Sequence, residues 1–439
     1  MTETAADTGQ ALHALCRQLY PIARSITGDG VRATLAQLSE LIPLQIHEVP
    51  SGEAVFDWVV PPEWNVRAAW LADAEGRRIV DLAQHTLHVV NYSEPVRARL
   101  TLEQLQPHLH SIPEHPDWIP YRTSYYQRTW GFCLSHRQRQ ALRPGTYEAV
   151  IDSTLAPGHL TYGECCIEGA SDRELIVSVH VCHPSLANDN LSGISVATLL
   201  ARELAQTRPN HTIRFLFVPS TIGAITWLAR NRERLDRIDG GLVLSGVGDA
   251  GGFTYKRSRR GGAIDRIVAQ VLAARGEPHT IEPFGPYGYD ERQFCSPGID
   301  LPVGCLMRTP YGCYPQYHTS ADDLDFIRPE SLAATLAVCR DVLARADLVA
   351  TWRNLQPFGE PQLGRRGLYD SIGGENDKKT AQMALLWMLS YSDGEHSTLD
   401  ISELSGLPLD VLHRAAGRLR DADLLAPTDR PAARDPAQR

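Results

Sequence analysis

Two histidines and an aspartate crowd the stretch Val177-Ser-Val-His180-Val-Cys-His183-Pro-Ser-Leu-Ala-Asn-Asp189-Asn-Leu-Ser-Gly193. Neutral imidazole and carboxylate are the donors that a catalytic zinc site takes, with three protein ligands and one open position. His183 is the first candidate, because Pro184 turns the chain out of the strand there and brings the ring to a mouth. His180 lies deeper, before the strand end, and is the alternative first ligand. Asp189 stands at the start of an apolar helical pattern, where a carboxylate either ligates or caps the helix. Gly193 lets that helix approach the sheet closely. The third candidate is His318, far downstream in Tyr317-His318-Thr-Ser-Ala-Asp-Asp, where Thr319 and Ser320 can orient its ring. The pattern points to metal-dependent hydrolysis with zinc, although manganese, iron or cobalt accept the same donors. Cys182 offers a thiolate, but alternation along the strand turns it away from its neighbour and it reads as core.

Such side chains need a scaffold that converges them. Between Leu160 and Ala350, apolar strand-like runs alternate with helical ones. The strands read as Leu175–Val181, Ile213–Val218, Gly241–Ser245 and Leu301–Leu306. The helices read as Leu191–Ala205, Ala224–Leu235, Ile264–Ala274 and Pro329–Ala344. This is an α/β pattern: a mainly parallel sheet with helices on both faces. Ligands then belong at the carboxyl ends of the strands, and His183 and Ser220 lie just past two of them. Upstream, residues 12–39 read as helical with a break at Gly28-Asp-Gly30, followed by a strand near Leu44–Val49. Residues 55–155 change to short β-rich pieces between turn residues, an inserted β-rich domain. Residues 353–427 read as a winged helix, and 428–439 as a disordered tail. The expected domains are 1–54 and 156–352 for the core, 55–155 for the insert, 353–427 and the tail.

The chain has 439 residues with 43% hydrophobic and 22% charged content, a composition of globular domains. No apolar run reaches membrane-spanning length. The first residues are acidic and lack a secretion pattern, so the cytoplasm is the expected location. Nine cysteines without a Cys-x-x-Cys pair read as free thiols. A net charge of −9 disfavours nonspecific nucleic-acid binding. Acids outnumber bases across the winged helix, so it is expected to dock on protein or on itself rather than on DNA.

The segment Asp189-Asn-Leu-Ser-Gly before a helix, with Tyr317-His318-Thr-Ser and a trailing aspartate, resembles the zinc aminopeptidase superfamily. That group includes di-zinc bacterial aminopeptidases, glutamate carboxypeptidases and glutaminyl cyclases. The likeness is greatest to a branch with an inserted β domain, a peptidase core and a C-terminal winged helix. Its marks are Trp130-Gly-Phe-Cys, Cys182-His183-Pro-Ser, Thr221-Ile-Gly223, Tyr255-Lys-Arg-Ser-Arg, Asp290-Glu-Arg-Gln and Tyr317-His318-Thr-Ser. The resemblance spans nearly the whole chain. It implies that His183 is the first zinc histidine, Asp189 the bridging carboxylate and His318 the last histidine. It also implies a cis peptide at Asp189–Asn190 and a further carboxylate ligand after the Gly241–Ser245 strand, for which Asp249, at a shifted position, is the candidate.

Two departures matter. The superfamily places two glutamates after the Ile213 strand, a general base and a second-zinc ligand, where this chain has Pro219-Ser220-Thr221. The aspartate expected after the histidine is Ser185. One zinc, held by His183, Asp189 and His318 with Asp249, is therefore the simpler expectation. The missing base points to Glu291 first and Asp290 second, in Tyr289-Asp290-Glu291-Arg292. Arg292 could instead pair with these acids. The basic run Tyr255-Lys256-Arg257-Ser-Arg259-Arg260 either grips a substrate anion or is a solvated loop. Tyr126, within Pro120–Trp130, either walls a pocket or packs the insert. The substrate-binding candidates are thus Arg257, Arg259, Arg292 and Tyr126. The expected activity is hydrolysis of an amide in a small aminoacyl or peptide-like substrate. The alternative is a degenerate metal-binding relative that recruits a partner, and a DNA-binding regulator is a third.

Overall fold

The apolar run around Val177 forms the strand Glu174–His180, every residue of it buried. It lies parallel to Thr212–Val218 on one side and Ile238–Leu244 on the other. Strands covered on both faces need this near-continuous apolar sequence. In the computed structural model, which describes residues 4–124, 126–368 and 375–428, this strand is central to an eight-stranded sheet. The order is Gln45–Pro50, His159–Ile167, Thr212–Val218, Glu174–His180, Ile238–Leu244, Val303–Met307, Phe253–Lys256, His279–Glu282. Parallel pairing joins the four central strands and the last two. Antiparallel pairing at Gln45–Pro50, His159–Ile167 and Phe253–Lys256 makes the sheet mixed. The carboxyl ends of the central strands open on one rim, which receives the loops bearing the candidate residues.

The helices Ala5–Leu19, Asp29–Ser39, Ile222–Arg230, Ala263–Arg275 and Pro329–Ala346 follow the periodic patterns. Thr4 and Asp7 cap the first reciprocally. One boundary differs instructively. The helix after Asp189 spans Gly193–Leu204, and the turn Ala187–Ser192 intervenes with non-helical backbone at Asp189 and Asn190. Asp189 therefore does not cap this helix. A Cβ on Gly193 would lie 2.5 Å from Asn190 Oδ1 and 2.7 Å from the Leu244 carbonyl, so only glycine lets helix and sheet meet there.

The insert holds a four-stranded antiparallel sheet, ordered Arg78–Asp81, Glu63–Ala72, Thr146–Ala156, Val96–Thr101. Its buried Trp64, Leu71, Tyr147 and Ile151 join the same hydrophobic core as Ile176 and Leu216 of the main sheet.

Contacts divide the chain into two units, Met1–Arg340 and Asp341–Arg439. The second has strands Thr351–Asn354, Asp393–Ser397 and Leu425–Pro427, and helices Glu375–Tyr391, Thr398–Ser405 and Leu409–Asp421. They enclose Trp352, Leu385, Met388, Leu412 and Leu419. The tail after 428 lies outside the described residues. Among the described residues, no helix is long and apolar enough to cross a membrane.

Candidate metal centre

The Asp189 carboxylate is fully buried and meets imidazoles on both oxygens. His180 Nε2 lies 2.8 Å from Oδ1. His318 Nε2 lies 3.0 Å from Oδ2, and His183 Nε2 lies 4.0 Å from the same oxygen. The donor atoms of His180, His183 and Asp189 all fall within 4.8 Å of one another. The Asp189–Asn190 peptide is cis, as the resemblance implies, and Ser220–Thr221 is cis as well.

Each ligand candidate is held by groups distant in sequence. Asp322 accepts from the Asn188 N–H at 2.6 Å and the Asp189 N–H at 3.0 Å, fixing the loop backbone. The Asn190 side chain donates to the Leu244 carbonyl at 2.8 Å and accepts from the Gly193 N–H at 3.2 Å. The buried Arg24 donates from Nε to the His183 carbonyl at 2.8 Å. His318 has a φ of 55°, a region few side chains enter. Its carbonyl accepts from the Tyr121 N–H at 2.8 Å, and Ser320 Oγ accepts from the Ile119 N–H at 2.9 Å.

Burial pushes His183 down to about 3, against the pull of Asp189, so its ring is neutral and able to ligate. Burial acts upward on Asp189, but the imidazoles of His183, His180 and His318 hold it well below the usual carboxylate range. Three imidazoles around one ionised carboxylate is a donor set that suits zinc, so the residues present fit the ion.

Residues 13–348 match a family described as a domain of unknown function, DUF4910. The chain belongs to the DUF4910 family. Residues 350–427 match a winged helix-turn-helix family. A Clostridium acetobutylicum protein, described as a candidate polysaccharide biosynthesis protein with an aminopeptidase-like domain, is 46% identical over 424 residues. The match covers 96% of this chain and 98% of that protein. A crystal structure of a candidate peptidase from the same organism superposes with a TM-score of 0.84 at 44% identity, covering 97% of each chain. A zinc aminopeptidase from Bacillus subtilis superposes with a TM-score of 0.56 at 12% identity, over 77% of this chain and 95% of that one. The DUF4910 core therefore has the zinc aminopeptidase fold.

Within this DUF4910 core the other sequence candidates fall in different places. Asp290 is buried, and its Oδ1 accepts from Ser220 Oγ at 2.9 Å. Burial raises it to about 6, with His180 and Ser220 offsetting part of the effect. Glu291 faces Lys256 Nζ at 2.7 Å in a buried ion pair. Asp249 is turned to its own surroundings: it accepts from Thr309 Oγ1 at 2.6 Å, the Gly251 N–H at 2.7 Å and Asn188 Nδ2 at 3.1 Å. It buttresses the Asp189 loop rather than joining the imidazoles.

The basic run is not one loop. Tyr255 and Lys256 are buried in the strand Phe253–Lys256, Arg257 is exposed, and Arg259 pairs with Asp300 at 2.7 Å. Arg292 lies 5.9 Å over the Tyr287 ring. Tyr126 packs beside Trp58 of the insert, with ring centroids 5.5 Å apart. From the same segment it is Tyr121 that reaches the centre, 5.1 Å from both the His183 and the His318 rings. Cys182 is buried, accepts from the Ser220 N–H at 3.3 Å and stands 3.6 Å from His183 Nδ1.

Proposed function

We propose that this protein is a hydrolase that uses one divalent ion, zinc by preference, to cleave an amide bond in a small aminoacyl or peptide-like substrate. The observation that carries the reading is the buried Asp189 carboxylate with imidazoles at both oxygens. His180, His183, His318 and Asp189 would hold the ion. An ion bound there supplies Lewis acidity toward a carbonyl oxygen and makes water a better nucleophile near neutral pH. One ion is favoured over two because Ser220 replaces a carboxylate donor and the Asp249 oxygens are occupied by Thr309, Gly251 and Asn188.

Asp290 is the proton acceptor in this scheme. It reaches the Ser220 hydroxyl, where the superfamily pattern has a glutamate, and its burial brings its proton affinity toward neutral pH. Ser220 donates to one carboxylate oxygen and leaves the other to take the proton of an attacking water. Glu291 is the poorer base, since its charge is matched to Lys256. The aminopeptidase-like description of the Clostridium acetobutylicum protein agrees with an amide substrate.

The test is turnover of aminoacyl p-nitroanilides by the zinc-loaded protein, with and without chelator, and in an Asp290→Asn variant. Chelator-sensitive turnover lost in that variant, with zinc retained, supports the reading. The second reading, a degenerate metal-binding relative, is favoured by Ser220 alone. Bound zinc without turnover across the panel would select it.

A further inference from the structure

A ladder of tyrosines leads from the imidazoles to solvent. The Tyr289 ring stacks on His180 with centroids 5.5 Å apart. Tyr311 meets Tyr289 edge-on at 5.2 Å, and Tyr287 meets Tyr311 edge-on at 5.4 Å. Tyr289 and Tyr311 are half-buried, whereas Tyr287 is 70% exposed. At the other imidazoles, Tyr317 stacks on His318 at 4.0 Å and Tyr121 sits against His183 and His318. The ladder is anchored from inside. Lys256 Nζ and the Tyr311 hydroxyl both donate to the Tyr287 carbonyl, at 2.7 and 2.8 Å, which fixes the backbone beneath the exposed Tyr287 ring. Beside that ring, Arg292 keeps a buried Nε–H with no hydrogen-bond partner among the described residues.

Every ring in this series is a tyrosine. A pocket for an apolar side chain is best covered by Phe, Leu, Ile or Met, which carry no polar atom to desolvate. Tyrosine instead joins a flat apolar face to a hydroxyl at its edge. The complementary ligand has an apolar CH face and a hydroxylated rim, which is the description of a pyranose ring.

We infer that these tyrosines form a sugar subsite beside the metal centre, and that the amide acted on is borne by a pyranose, as in an N-acylated amino sugar. The amide part of this inference rests on the hydrolase reading above; the sugar part does not. In the reaction water adds its oxygen to the acyl carbon and the C–N bond breaks. A proton passes to the sugar nitrogen, leaving a carboxylate and an amino sugar.

The experiment is saturation-transfer NMR and calorimetric titration of the full-length protein, zinc-free and zinc-loaded. The probes are N-acetylglucosamine, its β-1,4 disaccharide and leucine amide. The sugars are expected to bind in both metal states. Tyr287→Ala, a change at an exposed ring, should weaken them about three- to tenfold, the worth of one ring contact. Tyr287→Phe, which keeps the exposed ring and removes its hydroxyl, should lower the preference for sugar over leucine amide. Absence of saturation transfer to either sugar, or affinity unchanged in Tyr287→Ala, overturns the subsite. Tyrosine-sensitive sugar binding without turnover keeps the subsite and removes the hydrolase reading. Turnover of aminoacyl amides without sugar binding does the reverse.

Discussion

At the residue scale the centre turns on one carboxylate. Asp189→Asn should lower zinc affinity by more than about 100-fold, beyond the cost of losing an outer partner, as measured by competition with a chromophoric chelator. Asp290→Asn should cut kcat by about 10²–10⁴, the range for a positioned base, with zinc content unchanged. The sign of the pH dependence follows from its raised proton affinity. As pH falls through about 6 the Asp290 carboxylate is protonated and can no longer accept, so kcat/KM drops on the acid side. A cation bound nearby favours the ionised form and moves that midpoint lower. Glu291→Gln should keep the acid limb and instead lower stability by about 3 kcal/mol, because Lys256 loses its buried counter-charge.

The clustering of His183, Asp189 and His318 is legible from residue type together with the resemblance, which His318 needs because nothing beside it in the loop singles it out. His180 was legible only as an alternative, since position along a strand does not say which of two neighbouring rings turns inward. Asp322 trails the His318 motif in sequence but nothing local gives it a role, and nothing local marks Arg24. Their work is done on backbone groups 133 and 159 positions away, and such contacts exist only after folding.

At the element scale, long buried strands and periodic helices were readable from apolar spacing, as Glu174–His180 and Thr212–Val218 show. The strands Phe253–Lys256 and His279–Glu282 were not, being four residues each and carrying Lys, His and Glu. Without them Lys256, a buried strand residue, falls in a run that reads as either an anion grip or a solvated loop. The turn Ala187–Ser192 is legible in part: the helical pattern starts at Leu191, whereas the helix itself starts at Gly193, because Leu191 and Ser192 continue the apolar spacing while still belonging to the turn. Close packing at its far end gives a direct check. Gly193→Ala places a methyl against Asn190 and the Leu244 carbonyl, and should cost about 1–3 kcal/mol in chemical denaturation.

At the scale of the whole molecule, two units with separate cores should respond differently to metal. In calorimetry of the full chain, zinc at about 100 times its Kd should add about 2.7 kcal/mol to the unit that binds it. The winged-helix transition should stay where it is. On helix Leu409–Asp421, Arg414 is paired with Asp410 and Arg420 with Asp421. Duplex DNA should therefore show little affinity at about 0.15 M salt, as read by fluorescence anisotropy.

The clasp between Tyr121 and the His318 carbonyl, doubled by Ile119 and Ser320, joins positions 201 apart in the chain at its second contact. A nascent polypeptide that has emerged only as far as Asp189 already carries Ile119 and Tyr121, but the loop of the last imidazole, which they hold, is still to be made. The four-ligand set proposed above is therefore complete only in the folded chain, and tight zinc uptake should report that these two distant segments have met.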